Sequence, residues 1–158
     1  MAIEIERKFL VIGDAWRQGV TRTHVIRQAY LTRGGRTSVR VRRIDQDAAF
    51  LTIKTTGGGL ARHEFEYAIP AADAEQLMAE REGAIVAKTR YIVPGGGVTW
   101  EVDVFEGENA GLVVAEVELT HPDQGFTRPS WLGAEVTSDR RYGNADLAAL
   151  PYAQWMNR

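Results

Sequence analysis

Apolar and polar residues alternate along most of this chain with a period of two. Residues two apart in an extended strand share a face, so each run of alternation assigns one face to hydrocarbon and the other to charge. Residues 2–11 put Ile3, Ile5, Arg7 and Phe9 on one side and Glu4, Glu6 and Lys8 on the other. Residues 23–31 read as a second strand, ended by Gly34-Gly35. Residues 36–44 set Val39 and Val41 against Ser38, Arg40 and Arg42, and Asp45-Gln46-Asp47 turns the chain. In 48–55, Phe50, Thr52 and Lys54 oppose Leu51 and Ile53. Gly57-Gly58-Gly59 predicts a hairpin loop, after which Arg62, Glu64 and Glu66 oppose His63, Phe65 and Tyr67.

Pro70 opens the one long helix, expected over about 71–82, with Ala72-Asp73 at its cap and Leu77 and Met78 as its apolar stripe. Strands resume at 84–93, 98–105 and 112–119. There Lys88 and Arg90 oppose Ala87 and Tyr91, Glu101 and Asp103 oppose Trp100 and Val102, and Glu116 and Glu118 oppose Ala115 and Val117. After Thr120 the alternation fades. Trp131-Leu132 is expected to pack, Asp146 to Leu150 to form a short helix, and the tail from Pro151 to be irregular. With no linker, fixed repeat or low-complexity tract, residues 1–158 read as one domain.

Seven of the eight predicted strands carry two or more polar or charged residues at i, i+2 on one face. A single such strand is ordinarily a half-solvated one. Two features set this group apart. The opposite faces are apolar and need covering, and the charges are sorted by strand. The 40/42 and 88/90 pairs are basic and the 101/103 and 116/118 pairs acidic, whereas a surface tuned for solubility mixes signs. The pattern therefore predicts a mainly β (α+β) fold, an eight-stranded antiparallel barrel with its charged face inward and a few peripheral helices. Such a barrel has room for one small ligand. Its lumen would hold Lys8, Arg40, Arg42, Lys54, Arg62, Lys88 and Arg90 against Glu4, Glu6, Glu64, Glu66, Glu101, Asp103, Glu116 and Glu118, a near balance of seven against eight. That mixture suits a polyanion together with a divalent metal. Arginine and lysine hold phosphate oxygens, and clustered carboxylates hold Mg²⁺ or Mn²⁺.

Composition narrows the picture by exclusion. The formal net charge of −2 gives no cationic field for nucleic acid or an anionic membrane, and Arg40, Arg42 and Arg43 are not interleaved with stacking aromatics. The absence of cysteine rules out disulfides and thiolate metal sites. Charges begin at Glu4 and no run approaches the length of a membrane span, so neither a signal peptide nor a transmembrane helix is expected, and the default is a cytoplasmic protein. Gly57-Gly58-Gly59 lacks the Lys-Ser/Thr of a phosphate-binding P-loop, and His24, His63 and His121 show no metal-ligand spacing.

Glu4-x-Glu6-x-Lys8 resembles the Glu-x-Glu-x-Lys motif of the CYTH superfamily, also called triphosphate tunnel metalloenzymes. The resemblance continues in order through Gln28-Ala29-Tyr30-Leu31, Val39-Arg40-Val41-Arg42, Leu51-Thr52-Ile53-Lys54 and Glu64-Phe65-Glu66. It goes on through Lys88-Thr89-Arg90-Tyr91, Glu101-Val102-Asp103-Val104-Phe105 and Glu116-Val117-Glu118, and is less diagnostic at Glu135-Val136-Thr137 and Arg141-Tyr142. It implies an eight-stranded antiparallel tunnel for a triphosphate and a divalent metal. By the same resemblance, Lys8, Arg40, Arg42, Lys54, Lys88 and Arg90 would grip the triphosphate. Glu4, Glu6, Glu116 and Glu118 would ligate metal, with Asp103 joining directly or through water. Glu64, Glu66, Glu101 and Arg62 would support them, and Lys54 with Tyr30 would stand beside the scissile phosphate. The implied reaction is metal-assisted hydrolysis of inorganic triphosphate. A class IV adenylate cyclase, a thiamine or nucleoside triphosphatase, and a triphosphate-binding module without turnover are the alternatives. Monomer and homodimer are both open.

Overall fold

In the computed structural model, residues 2–32, 36–55 and 61–155 are described. The glycines expected to end the second strand and to form the 57–59 hairpin lie outside them. Strands β1 (Ala2–Val11), β2 (Arg22–Thr32), β3 (Thr37–Ile44), β4 (Ala48–Thr55), β5 (Ala61–Ala68), β6 (Glu82–Gly95), β7 (Val98–Phe105) and β8 (Val113–Leu119) pair antiparallel in the order β5-β4-β3-β2-β6-β7-β8-β1. Pairing of β1 with β5, through Ala2↔Glu64 to Ile5↔Ala61, closes the ring into a barrel. A ninth strand, β9 (Leu132–Glu135), was not expected. It takes the edge of β1 beyond its contact with β5, pairing at Phe9↔Glu135 and Val11↔Leu132.

The outer faces are covered by more material than one helix. Helix α1 (Ala71–Ala79) lies over the outside of β2–β4, where Ala74 and Met78 meet Ala29, Val41 and Ala49. It ends three residues before the predicted position because Glu82 already begins β6. Asp73 is not its cap. Pro70 holds that place, without a side-chain hydrogen bond, and Asp73 lies in the first turn, where the helix dipole favours a negative charge. Over β1, β6, β7 and β8, Trp16 from a short 3₁₀ helix and Trp131 seal a cluster of Ile5, Phe9, Val93, Trp100, Val102 and Val117. The predicted Asp45-Gln46-Asp47 turn holds. Asp45 sits at φ 57°, and its carboxylate accepts the Val25 N–H at 2.9 Å.

A third apolar cluster lies inside the barrel. Tyr30, Val86, Phe105 and Val114 have lumen parity, and Leu147, Ala148 and Trp155 close over them. Leu147 and Ala148 belong to α2 (Asn144–Ala149), which starts two residues earlier than the sequence predicts, and Tyr152–Gln154 forms a further 3₁₀ turn in place of the irregular tail expected from Pro151. Close approach of α2 to β6 requires glycine at position 83, since a Cβ there would sit 2.5 Å from the Ala148 carbonyl oxygen. The chain after Thr120 therefore covers one outer face and plugs one end of the barrel.

Arg7, on the apolar parity of β1, points out of the barrel. It forms a two-pronged pair with Glu135 at 2.9 and 2.6 Å and lies over the Phe9 and Phe126 rings. Hydrogen bonding from Arg7 pulls the Glu135 carboxyl down from 4.5 to about 2. A depressed carboxyl stabilises the fold above its unfolded value, and this is lost as pH falls through the folded one. Glu135→Gln is therefore expected to lower the melting temperature at pH 7 by an amount worth about 1 kcal/mol, and the gap should close between pH 4.5 and pH 2. A gap independent of pH, followed by thermal melts, would show that the pair contributes nothing through charge.

Candidate active site

Residues directly opposite across a ladder share one side of the sheet. Following such pairs around the barrel leads from Glu64↔Lys54 and Arg62↔Glu4 to Lys8↔Glu116, Glu101↔Glu116 and Asp103↔Arg90. It continues through Val86↔Gln28, Gln28↔Arg42 and Arg40↔Thr52, and Thr52↔Glu66 returns to β5. The charged residues that the alternation assigns to the lumen thus share the inner side of the closed sheet. Each strand contributes by alternation alone, and closure of the ring brings the basic and acidic strands together.

The charges are paired across that lumen. Lys54 Nζ donates to Glu4 at 2.8 Å and lies 3.5 Å from Glu64, and Arg62 bridges Glu4 and Glu6, each at 3.3 Å. Lys8 Nζ is 3.3 Å from Glu116 and 3.4 Å from the Tyr142 carbonyl oxygen. Arg90 grips both oxygens of Asp103 at 2.7 and 2.8 Å and reaches Glu116 and Glu101 at 3.4 Å. Lys88, fully buried, sits 2.6 Å from Asp103 and donates to Asn144 Oδ1 at 3.1 Å. Arg40 donates to Thr52 Oγ1 at 3.1 Å, Thr52 donates to Glu66 at 3.0 Å, and Arg42 Nε donates to Gln28 Oε1 at 2.7 Å.

Burial and neighbours tune these groups in opposite directions. Burial pulls the Lys88 amine down to about 7; Asp103 opposes this and Arg90 adds to it. Burial would raise the Asp103 carboxyl, but Arg90 and Lys88 outweigh it and hold it below the ordinary range. With Arg90 gripping both its oxygens, Asp103 stays ionised, and Lys88 is the member of the pair that gives up its charge first. Glu116 is held well below its usual value, since Lys8 and Arg90 overcome its burial. Burial lowers Arg42 to about 9, reinforced by Arg40 and Arg90.

Part of the acidic side leans on itself. Glu6 stands directly opposite Glu118, and Glu101 directly opposite Glu116, a placement that destabilises a bare sheet. Burial and the neighbouring carboxylates raise Glu6, with Glu116 the first of those neighbours; Glu118 is raised in the same way, with Glu4 and Glu64 first. Burial raises Glu101 despite Arg90. Among the described residues no three carboxylates already converge as a metal cage. The opposed glutamates nevertheless make a donor set of hard oxygens that fits a divalent cation such as Mg²⁺, whose charge would remove the repulsion.

Glu118 lies at the exposed rim. Tyr30 is on the lumen parity, but it is buried in the apolar plug with β3 between its strand and that of Lys54. Four contributors were given no role by sequence reasoning. Gln28 and Thr52 are visible in the alternation as lumen positions. The Tyr142 carbonyl and Asn144 come from outside any strand, where periodicity carries no signal.

A model described as the CYTH domain matches residues 2–149 of the chain. An inorganic triphosphatase of Acetivibrio thermocellus is 43% identical over 153 residues, spanning 96% of this chain and 97% of that protein. An inorganic triphosphatase of Nitrosomonas europaea is 40% identical over 149 residues, covering 92% and 96%. The crystal structure of an inorganic triphosphatase superposes with a TM-score of 0.67 at 38% identity, over 94% of this chain and 95% of that one. The closed tunnel of sorted charges and these matches over nearly the whole length agree, and the chain belongs to the CYTH domain family.

Proposed function

We propose that this chain, as a single domain, is a divalent-metal-dependent inorganic triphosphatase that hydrolyses tripolyphosphate to diphosphate and phosphate. The observation that carries the reading is one closed lumen in which opposed glutamates stand beside a wall of buried arginines. It is supported by two relatives of 43% and 40% identity that bear that name. In this reading Arg40, Arg42, Arg90, Lys8 and Lys88 donate to phosphate oxygens, and the acidic partners they hold give way to a stronger anion. Glu4, Glu6, Glu116, Glu118 and Asp103 hold the cation, with Glu64, Glu66, Glu101 and Arg62 as their supports. A bound Mg²⁺ or Mn²⁺ supplies Lewis acidity and neutralises charge on the departing diphosphate. The P–O bond to diphosphate breaks as a water oxygen bonds to the terminal phosphorus, so the protein's work is placement and electrostatics. Lys54 and Tyr30 are the groups assigned to that water, and Lys54 has the freer approach because Tyr30 is packed into the plug. No helix among the described residues is long and apolar enough to cross a membrane, and a cytoplasmic setting belongs to the same proposal.

The test is product identification with Mg²⁺ and, in turn, tripolyphosphate, ATP and thiamine triphosphate. Orthophosphate and diphosphate from tripolyphosphate, at a higher kcat/KM than from the other two, is the expected result. Cyclic AMP with pyrophosphate from ATP would replace the proposal with a cyclase, and tight binding without product would replace it with a binding module.

A further inference from the structure

Gln28 lies on the lumen face of β2, fully buried, directly opposite Arg42 on one side and Val86 on the other. Its amide orientation follows from chemistry. A guanidinium only donates, so the oxygen must face Arg42 Nε, which it meets at 2.7 Å, and the Nε2 hydrogens must point elsewhere. On the opposite side Val86 presents only hydrocarbon. Gln28 Nε2 has no hydrogen-bond partner among the described residues, and Arg40 Nε on the adjoining strand is likewise buried and unpartnered. A buried donor left unmade is costly and calls for an explanation. Two such donors on one cationic wall, beside an arginine whose charge is disfavoured by burial and then by Arg40 and Arg90, point to an anionic acceptor.

We propose that Gln28 contacts the substrate, its Nε2 donating to an oxygen of the phosphate chain while its Oε1 fixes Arg42 with the Nη donors free for the same anion. This rests on the triphosphatase reading and adds a neutral amide to a wall otherwise read as purely charged. A neutral donor beside arginines binds phosphate without adding to the mutual repulsion of the cations.

Two substitutions separate substrate contact from a structural role. Gln28→Leu removes both amide functions. Gln28→Glu keeps an acceptor for Arg42 Nε and strengthens it by charge, but replaces the donor with an oxygen that repels phosphate. Steady-state kinetics on tripolyphosphate with Mg²⁺ are expected to show KM raised roughly tenfold or more in Gln28→Leu, the size of one hydrogen bond to a charged oxygen. Gln28→Glu is expected to raise KM further while melting at or above the wild-type temperature. If Gln28→Glu keeps wild-type KM, the amide serves only to hold Arg42 and the proposal is overturned. It is overturned equally if Gln28→Leu keeps wild-type kcat and KM. If Gln28→Leu does not fold, the near-isosteric Gln28→Met replaces it with the same expected rise. Wild-type protein that fails to hydrolyse tripolyphosphate would overturn the functional reading itself. Wild-type turnover with unaffected variants would overturn the Gln28 assignment alone.

Discussion

Glu116→Gln is expected to reduce kcat/KM for tripolyphosphate by at least roughly a hundredfold, the scale on which removal of one preorganised electrostatic group is felt. Glu116 stands where the two sides of the lumen meet: Lys8 and Arg90 contact it, and Glu101 lies directly opposite. The amide keeps the shape and one acceptor but loses the charge that a cation ligand needs. Lys8 would lose its one carboxylate partner within 4 Å among the described residues, whereas Arg90 keeps Asp103 and Glu101. A lower melting temperature is therefore expected alongside the activity loss, with circular dichroism still reporting the barrel. Near wild-type turnover in a folded Glu116→Gln protein would remove Glu116 from the metal set.

Asp103→Asn should show the largest effect on stability. The Lys88 side chain is fully buried with Asp103 as its carboxylate at 2.6 Å. Breaking a buried pair on one side costs about 3–5 kcal/mol because the other charge is left uncompensated; at about 2–4 °C per kcal/mol for a chain of this size, melting should fall by about 10 °C. The deficit should depend on pH. Burial already lowers the Lys88 amine from its ordinary 10.5 to about 7. Between those values the unfolded chain binds the proton that the folded chain sheds, so raising pH favours the folded state. Asp103 opposes the fall of the Lys88 amine, so its removal lowers that amine further in the folded protein. The Asp103→Asn deficit should therefore be greatest below pH 7 and shrink as pH rises through 7. Adding Lys88→Met should recover much of the loss, since an apolar replacement for a buried pair is often neutral. An Asp103→Asn protein that melts like wild type at pH 7 would show that the pair contributes no net stability.

Periodicity made the lumen readable because a barrel strand has only two faces, and a residue's parity decides its side. Arg7 shows the strength of that rule: it is a cation between Glu6 and Lys8, and it sits outside with Glu135. The same rule cannot say how deep in the tunnel a residue lies. Tyr30 has lumen parity yet belongs to the plug, because strand tilt and shear, which no single strand encodes, set its level. Asn144 and the Tyr142 carbonyl leave no trace in the alternation for a different reason. They reach Lys88 and Lys8 from a short helix and the turn before it, and their position depends on how the C-terminal chain packs, with Gly83 allowing α2 to approach. Helix α1 stops short of its expected end because Glu80 and Arg81, which suit a helix, give way to the sheet's demand that β6 begin at Glu82.

The most direct measurement follows phosphorus in tripolyphosphate by ³¹P NMR, with Mg²⁺ present and then withdrawn by EDTA. If sorted charges hold cation and polyanion together, one diphosphate and one orthophosphate should appear per substrate with Mg²⁺, and turnover should stop on chelation and return when Mg²⁺ is restored. Turnover at an undiminished rate in EDTA, or no turnover at any Mg²⁺ concentration, would contradict it.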